Sequence, residues 1–380
     1  MGLVSLSLPF RPPFPTTPPC ILMHLYLPYP CTKSPPTRDF EKDLGPLAMD
    51  FYPSLTARKG HHARTTAQLF FESYYAQGLL SNASAFIKGR ERCARKWGLT
   101  TPEISKAEIS ILFAAVTNTV PNVFYMLCWI FERPELVEKL RREIGGIMRK
   151  GEREEEMVLD IAGLREKCPL LTACFHESLR LVKTGFSIRM VLEDTLLADQ
   201  YLLKKGAIVQ IPTGVLQADR ETWGNDAGVF DPYRWLDQTS NSFSSSENGT
   251  ANGGAETAEK SGDTFKSKEK RKLQNSAFIP FGGGKNLCPG RHLAYNEIAA
   301  FVAVVVFGFD IEGVDKDGKG GGVLKAPEMA TNRLGDGSTS PKGDVGVRIR
   351  RREGWKGTMW GFVVGEGEGE DGGKGEGEGA

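Results

Sequence analysis

Apolar and polar positions recur at helical spacing from Ala63 to Trp97, in the segments TTAQLFFESYYAQGLL and ASAFIKGRERCARKW, and this spacing predicts two helices. A longer helix is predicted to start after Thr101 and Pro102, with Glu103 in its first turn. It should continue through the almost wholly apolar stretch from Ile109 to Phe131. Being apolar on every side, it is expected to cross the domain interior. Its polar step, Thr117-Asn118-Thr119 followed by Pro121, should widen or kink it, because proline removes one backbone hydrogen bond and frees a carbonyl. Further helices are expected over PELVEKLRREIGGIMRK and over the amphipathic stretch Leu170 to Val182. The apolar run Ile298 to Phe309 is too short to span a membrane and reads as a buried helix. SIRMVLEDTLLADQYLLKKGAIVQIP alternates like short strands joined at Lys204-Lys205-Gly206, and VRIRRREGWKGTMWGF reads as a closing hairpin. The pattern is mainly α with small β-sheets.

Composition sharpens this picture chiefly by exclusion. The chain has 380 residues, enough for one large domain, and its 48 basic and 47 acidic residues leave a net charge of +1. No overall field points to nucleic acid. Seven cysteines, at 20, 31, 93, 128, 168, 174 and 288, are scattered and odd in number, which argues against a disulfide framework and a zinc site. No transmembrane anchor is visible: no run reaches about 18 to 20 consecutive apolar residues, and prolines interrupt the apolar residues between Met1 and Pro36. The expected organisation is a Pro-rich irregular arm at 1–38, a domain at 39–362 with a flexible Ser/Asn/Gly/Lys-rich insertion at 238–275, and a Gly/Glu low-complexity tail at 363–380.

Chemistry concentrates in FIPFGGGKNLCPGRHLAYNEIAAFVAVVVFGF, from Phe278 to Phe309. Gly282, Gly283 and Gly284 let backbone approach a flat ligand, because no β-carbon intervenes. Cys288 falls just before a helix expected to begin at Gly290 to Arg291, where the dipole and free N–H groups favour a thiolate. The bland alternative is a glycine-rich loop with a buried cysteine. The segment resembles the haem-binding loop of the cytochrome P450 family, Phe-x-x-Gly-x-basic-x-Cys-x-Gly, with Phe281, Gly284, Cys288 and Gly290 on the fixed positions. The resemblance implies haem b with Cys288 as the axial thiolate to iron. It extends from about Gly45 to Phe362, excluding the insertion, and the motif order matches. Glu177-x-x-Arg180 would share its carboxylate with Arg234 of the Phe230–Trp235 segment in a buried network behind the haem. Taken alone, such a pair is common surface decoration.

The same resemblance implies that Arg189, in Ser187-Ile188-Arg189, contacts a haem propionate; otherwise it is a strand-end surface arginine. Two positions depart from the family pattern. Asn286 stands where a basic residue is usual, with Lys285 beside it, and Asn118 replaces the acid of the distal Gly-x-acid-Thr step that Thr119 completes. An amide hydrogen-bonds but does not relay protons as an acid does. Asn118 and Thr119 are the catalytic candidates, with satisfaction of a kinked backbone as their bland reading. Asn-Thr-Val-Pro resembles the Asn-Thr-x-Pro step of the branch containing sterol 7α-hydroxylases and prostacyclin synthase, and the chain as a whole resembles a fungal-like member. His292 has no partners at metal spacing and reads as ordinary.

Three functions remain open from sequence. The first is monooxygenation of a lipophilic small molecule such as a sterol or fatty acid, with O2 and electrons from an NADPH-dependent reductase. The second is a haem-thiolate isomerase or dehydratase acting on a peroxide-type substrate. The third is a truncated, non-catalytic remnant. Family resemblance implies the cytosolic face of the endoplasmic reticulum. The front part of the fold is expected to be missing, since Trp97 lacks an arginine four residues on, and haem binding is therefore expected to be poor.

Overall fold

A computed structural model describes residues 39–40, 42–236, 263–314, 320–330 and 337–363. The expected arm at 1–38, the insertion as far as residue 262 and the tail from 364 lie outside the described residues.

After the short helical turns Leu44–Met49 and Pro53–Thr56, two helices, α1 (Arg58–Ala76) and α2 (Ala85–Lys96), precede the distal pair α3 (Thr101–Thr117) and α4 (Thr119–Phe131). The start of α3 is fixed by Glu103, whose Oε2 accepts from the Thr100 N–H at 2.7 Å. The expected kink is a full break at Asn118. Pro121 has no N–H to give the Thr117 carbonyl, and the Asn122 Nδ2 donates instead to the Asn118 carbonyl at 2.8 Å. The two halves differ in environment. Helix α4 buries Tyr125, Met126, Cys128, Trp129, Ile130 and Phe131, whereas no described side chain from Ser110 to Val120 is buried. The expectation of a helix buried along its whole length therefore holds for α4, and in α3 only for Ile104, Ser105, Glu108 and Ile109. Thr101–Phe131 taken as one helix is long and apolar enough to cross a membrane by length and composition alone.

Helix α4 packs in a core with α5 (Pro134–Gly145) and α7 (Pro169–Val182), into which α6 (Ile161–Lys167) leads. Glu143 of α5 caps α7 by accepting from the N–H groups of Leu170 and Leu171 at 2.8 and 2.9 Å. Sequence predicted α7 to be amphipathic, yet it is buried on nearly every face, including His176, Glu177, Ser178 and Arg180. Its polar side chains are sequestered in a network rather than turned to solvent, which a hydropathy pattern does not register. Two short helices follow, α8 (Thr213–Ala218) and α9 (Arg220–Trp223).

The expected insertion at 238–275 is shorter than its composition suggested. Helix α10 (Asp263–Ala277) occupies its last part, anchored where Gln274 Nε2 donates to the Thr222 carbonyl at 3.1 Å and Ala277 packs with Trp223 and Trp235. The last helix, α11 (Arg291–Gly308), completes the core against α4, α5 and α7. At its far end Gly308 seats the Trp360 indole; a β-carbon there would lie 2.4 Å from its Cζ2.

Four small sheets flank the helices. Strand β2 (Glu156–Asp160) pairs antiparallel with β1 (Met148–Lys150) and parallel with β10 (Met359–Val363). Strand β3 (Phe186–Met190) pairs with β6 (Ile208–Pro212), and β4 (Thr195–Leu197) with β5 (Tyr201–Leu203), both antiparallel. Strand β7 (Phe309–Val314) lies between β8 (Gly320–Gly322) and β9 (Val347–Arg351). The expected closing hairpin is thus corrected: β9 joins β7 and β10 joins β2, because each finds its partner in another sheet.

Candidate active site

The loop after α10 is built to present a cysteine. Gly282 and Gly284 both have positive φ, at 78° and 66°, a conformation that β-carbons disfavour, and Gly284 opens a short 3-10 turn to Asn286. The Cys288 N–H donates to the Phe281 carbonyl at 3.0 Å, closing the loop over a ring that packs on the main core. Two residues later Gly290 caps α11, where a β-carbon would lie 3.8 Å from the Cys288 sulfur. Cys288 is half-buried, two residues before the start of α11 at Gly290. The other described core cysteines are chemically different: burial pushes the Cys128 and Cys168 thiols up to about 12, and Cys174 well above its ordinary value. His292 is exposed, and no group of metal-ligating side chains forms among the described residues.

The support beneath this loop is a saturated buried network. The fully buried Glu177 carboxylate accepts from Arg180 Nε and Nη2 at 2.8 and 2.7 Å, and from Arg234 Nε at 2.9 Å. It also accepts from the Asp231 N–H at 3.0 Å and Trp235 Nε1 at 2.9 Å. Arg180 Nη1 donates to the Gln217 and Ala227 carbonyls, both at 2.7 Å, so one guanidinium ties α7 to the segment before the 3-10 turn Pro232–Trp235. Every member predicted from sequence meets here; Trp235 and Asp231 join as donors that sequence reasoning did not single out. The surface-decoration alternative fails on burial.

Strand β3 reaches the cysteine loop through Arg189, whose Nη2 donates to the Gly283 carbonyl at 2.7 Å. The strand turns Phe186, Ile188 and Met190 outward and Ser187 and Arg189 inward. Arg189 is therefore not a free surface arginine. Its remaining donors leave it able to serve an anion beside the loop.

At the break between α3 and α4, the Asn118 side chain does not serve the kinked backbone. Its Oδ1 accepts from Lys183 Nζ at 2.9 Å and from the Ser338 hydroxyl at 3.1 Å. Backbone satisfaction falls to Thr117, whose hydroxyl donates to the Phe113 carbonyl at 2.8 Å, and to Asn122. Thr119 is half-buried at the first turn of α4. Gly337 approaches so closely that a β-carbon would lie 2.6 Å from Asn118 Oδ1. Lys183 is 7% exposed, and burial pushes its ammonium down to about 8 against the opposing effect of Cys288. Lys183, Ser338 and Gly337 were missed from sequence, because nothing local marks a lysine at a helix end or a Gly-Ser pair as neighbours of Asn118.

A cysteine delivered to a helix start, a flat glycine approach and a broken apolar helix nearby form the kind of site that holds a metalloporphyrin by a thiolate. The cytochrome P450 family profile matches residues 75–320. A cytochrome P450 monooxygenase of Gibberella zeae is 31% identical over 336 residues, covering 86% of this chain and 59% of the relative. Prostacyclin synthase of Rattus norvegicus is 27% identical over 310 residues, covering 79% of this chain and 56% of the relative. The 25-hydroxycholesterol 7-alpha-hydroxylase of Rattus norvegicus is 26% identical over 284 residues, with 73% and 61% covered. The chain belongs to the cytochrome P450 family. It spans about six tenths of the length of these curated relatives. The family implies haem iron under thiolate ligation, and the donor set fits it: one half-buried sulfur open above Gly290, with arginine and lysine side chains nearby.

Proposed function

We propose that this chain is a haem-thiolate oxidoreductase that hydroxylates a lipophilic small molecule such as a sterol or fatty acid. Cys288 would hold the haem iron through its sulfur. The single observation that carries the reading is the placement of Cys288: of the described cysteines, it alone sits in a glycine loop at a helix start and has its sulfur faced by Gly290. When bound, haem b supplies dioxygen activation and one-electron chemistry. The chain's own residues do the rest. The loop and the start of α11 place the Cys288 sulfur where it would hold the iron. Arg189 and the loop's own Lys285 offer cations to the propionates, while Asn118 and Thr119 lie on the substrate side and orient hydrogen bonds there. The part-buried apolar side chains of α3 beside the break would form the apolar wall of the substrate side. Electrons come from an NADPH-dependent reductase at the cytosolic face of the endoplasmic reticulum.

A second reading rests on Asn118. An amide replaces the usual acid, and one relative is a prostacyclin synthase, which supports isomerisation or dehydration of a peroxide-type substrate. The decisive experiment is the absorption spectrum of haem-loaded, reduced, carbon-monoxide-treated protein. A thiolate-type band in the parent and in Cys174→Ser, lost in Cys288→Ser, is the expected result. Loss in Cys174→Ser with retention in Cys288→Ser would overturn the assignment, and absence from all three would favour a non-catalytic remnant. Turnover that requires reductase marks the hydroxylase; turnover of a hydroperoxide without reductant marks the isomerase.

A further inference from the structure

Phe278 is the first residue after α10, and its position is fixed from several sides. Its N–H donates to the Gln274 carbonyl at 2.9 Å, which continues the helix ladder, and the Gln274 side chain is itself held to the Thr222 carbonyl at 3.1 Å. The Phe278 ring lies 4.6 Å from Trp235 and 5.7 Å from His176, edge-on to the latter at 81°. His176 and Trp235 are 5.4 Å apart, so the three rings meet pairwise at distances where aromatic pairs attract. Half-buried Phe278 packs against both the main core and the smaller cluster of Ala173, Trp223, Ala227, Trp235 and Ala277.

Each ring belongs to a different part of the site. His176 precedes Glu177 on α7, Trp235 ends the 3-10 turn and donates its Nε1 to Glu177 at 2.9 Å, and Phe278 opens the segment that carries Cys288. From Phe278 the chain makes one tight turn, in which the Gly282 N–H donates to the Ile279 carbonyl at 3.1 Å. Pro280 stiffens that turn, and Gly282 leaves it in the left-handed region at φ 78°. The turn sets Phe281, whose carbonyl accepts from the Cys288 N–H at 3.0 Å.

We propose that Phe278 is a positioning residue for Cys288: clasped between Trp235 and His176, it fixes where the loop leaves α10, so that the sulfur comes to rest beside Gly290. This deepens the reading of Cys288 as the haem ligand and rests on it. The ring carries the effect, because an aliphatic side chain fills the space without offering a face to Trp235 and an edge to His176. Any displacement of Phe278 passes through the stiff turn to Phe281, and from its carbonyl to Cys288. Arg189 holds Gly283, farther along the loop, independently of these rings. Loss of the Phe278 ring therefore loosens the approach to Cys288 and leaves the rest of the fold in place.

The test is the rate of iodoacetamide alkylation at Cys288 in the haem-free full chain, followed by mass spectrometry of its peptide, with Cys174 of the core as the internal measure of global opening. Phe278→Leu should raise the Cys288 rate about tenfold and leave Cys174 unreactive, while Phe278→Tyr, which keeps the ring, should stay within about twofold of the parent. Should Phe278→Leu fail to fold, Phe278→Met removes the ring at similar volume and reads the same rate. An unchanged or slower Cys288 rate in the ring-free variant overturns the proposal, and so does an equal rise at Cys174, which marks general loosening. After haem loading, reduction and carbon monoxide treatment, the thiolate-type band should weaken in Phe278→Leu and persist in Phe278→Tyr; equal bands in both would overturn the role towards the iron. A parent that shows the alkylation contrast but no thiolate-type band overturns the haem reading alone and upholds the part of Phe278 in placing the loop.

Discussion

Replacing Glu177 by glutamine keeps the shape of the buried carboxylate and removes its charge. Five donors converge on that group, two from Arg180 and one each from Arg234, Asp231 and Trp235, at 2.7 to 3.0 Å. In the variant, one carboxylate oxygen becomes an NH2 that faces other donors, Arg180 loses its counter-ion and Arg234 keeps only the exposed Asp226. Breaking a buried ion pair from one side costs about 3 to 5 kcal/mol. The arginines are not equivalent. Arg180 is fully buried and makes four hydrogen bonds of 2.8 Å or shorter, so Arg180→Lys leaves carbonyls or the carboxylate unsatisfied, a loss of about 2 to 4 kcal/mol. Arg234 lies nearer the surface and shares its charge with the exposed Asp226 at 3.1 Å, so Arg234→Lys should cost about 1 kcal/mol. Urea unfolding followed by tryptophan fluorescence reads the series directly, because Trp235 donates to Glu177 and Arg180 lies over the Trp223 ring at 5.0 Å. The reasoning is refuted if Arg234→Lys matches Arg180→Lys, or if Glu177→Gln loses less than about 1 kcal/mol.

Two further outcomes concern the fold alone. Burial holds His176 neutral, its pKa lowered to about 3. The unfolded chain binds this proton near pH 6.5 and the native state does not, so the contribution of His176 to stability is complete above that pH and falls as pH drops towards 3. Two pH units of acidification below the unfolded pKa should remove about 2.7 kcal/mol, and His176→Phe should flatten this part of the stability profile in denaturant titrations at stepped pH. An unchanged slope in the variant would assign the acid sensitivity elsewhere. In Gly308→Ala, the new carbon meets the Trp360 indole at 2.4 Å, and the overpacking should lower stability by about 1 to 3 kcal/mol in urea unfolding. A neutral result would mean that β10 yields freely.

What the sequence determined here is mostly what local chemistry encodes. The glycines at 282 and 284 specify a loop, Cys288 its reactive atom, Pro121 the break in the apolar helix, and Glu177-x-x-Arg180 a pair three residues apart on one helix face. Each depends on neighbours within a few residues, so the order of letters suffices. The tertiary structure decided whatever depends on which distant segment closes on which. Glu177 became a five-donor carboxylate only because the Asp231 to Trp235 turn folds against α7. The last two strands separated because β2 and β7 each offered an open edge, and unpaired backbone groups take the edge that packing brings near. Lys183, which nothing local in HESLRLVK singles out, is buried where the Gly337-Ser338 segment closes on Asn118. Burial is a property of the assembled chain, and no run of letters around Lys183 encodes it.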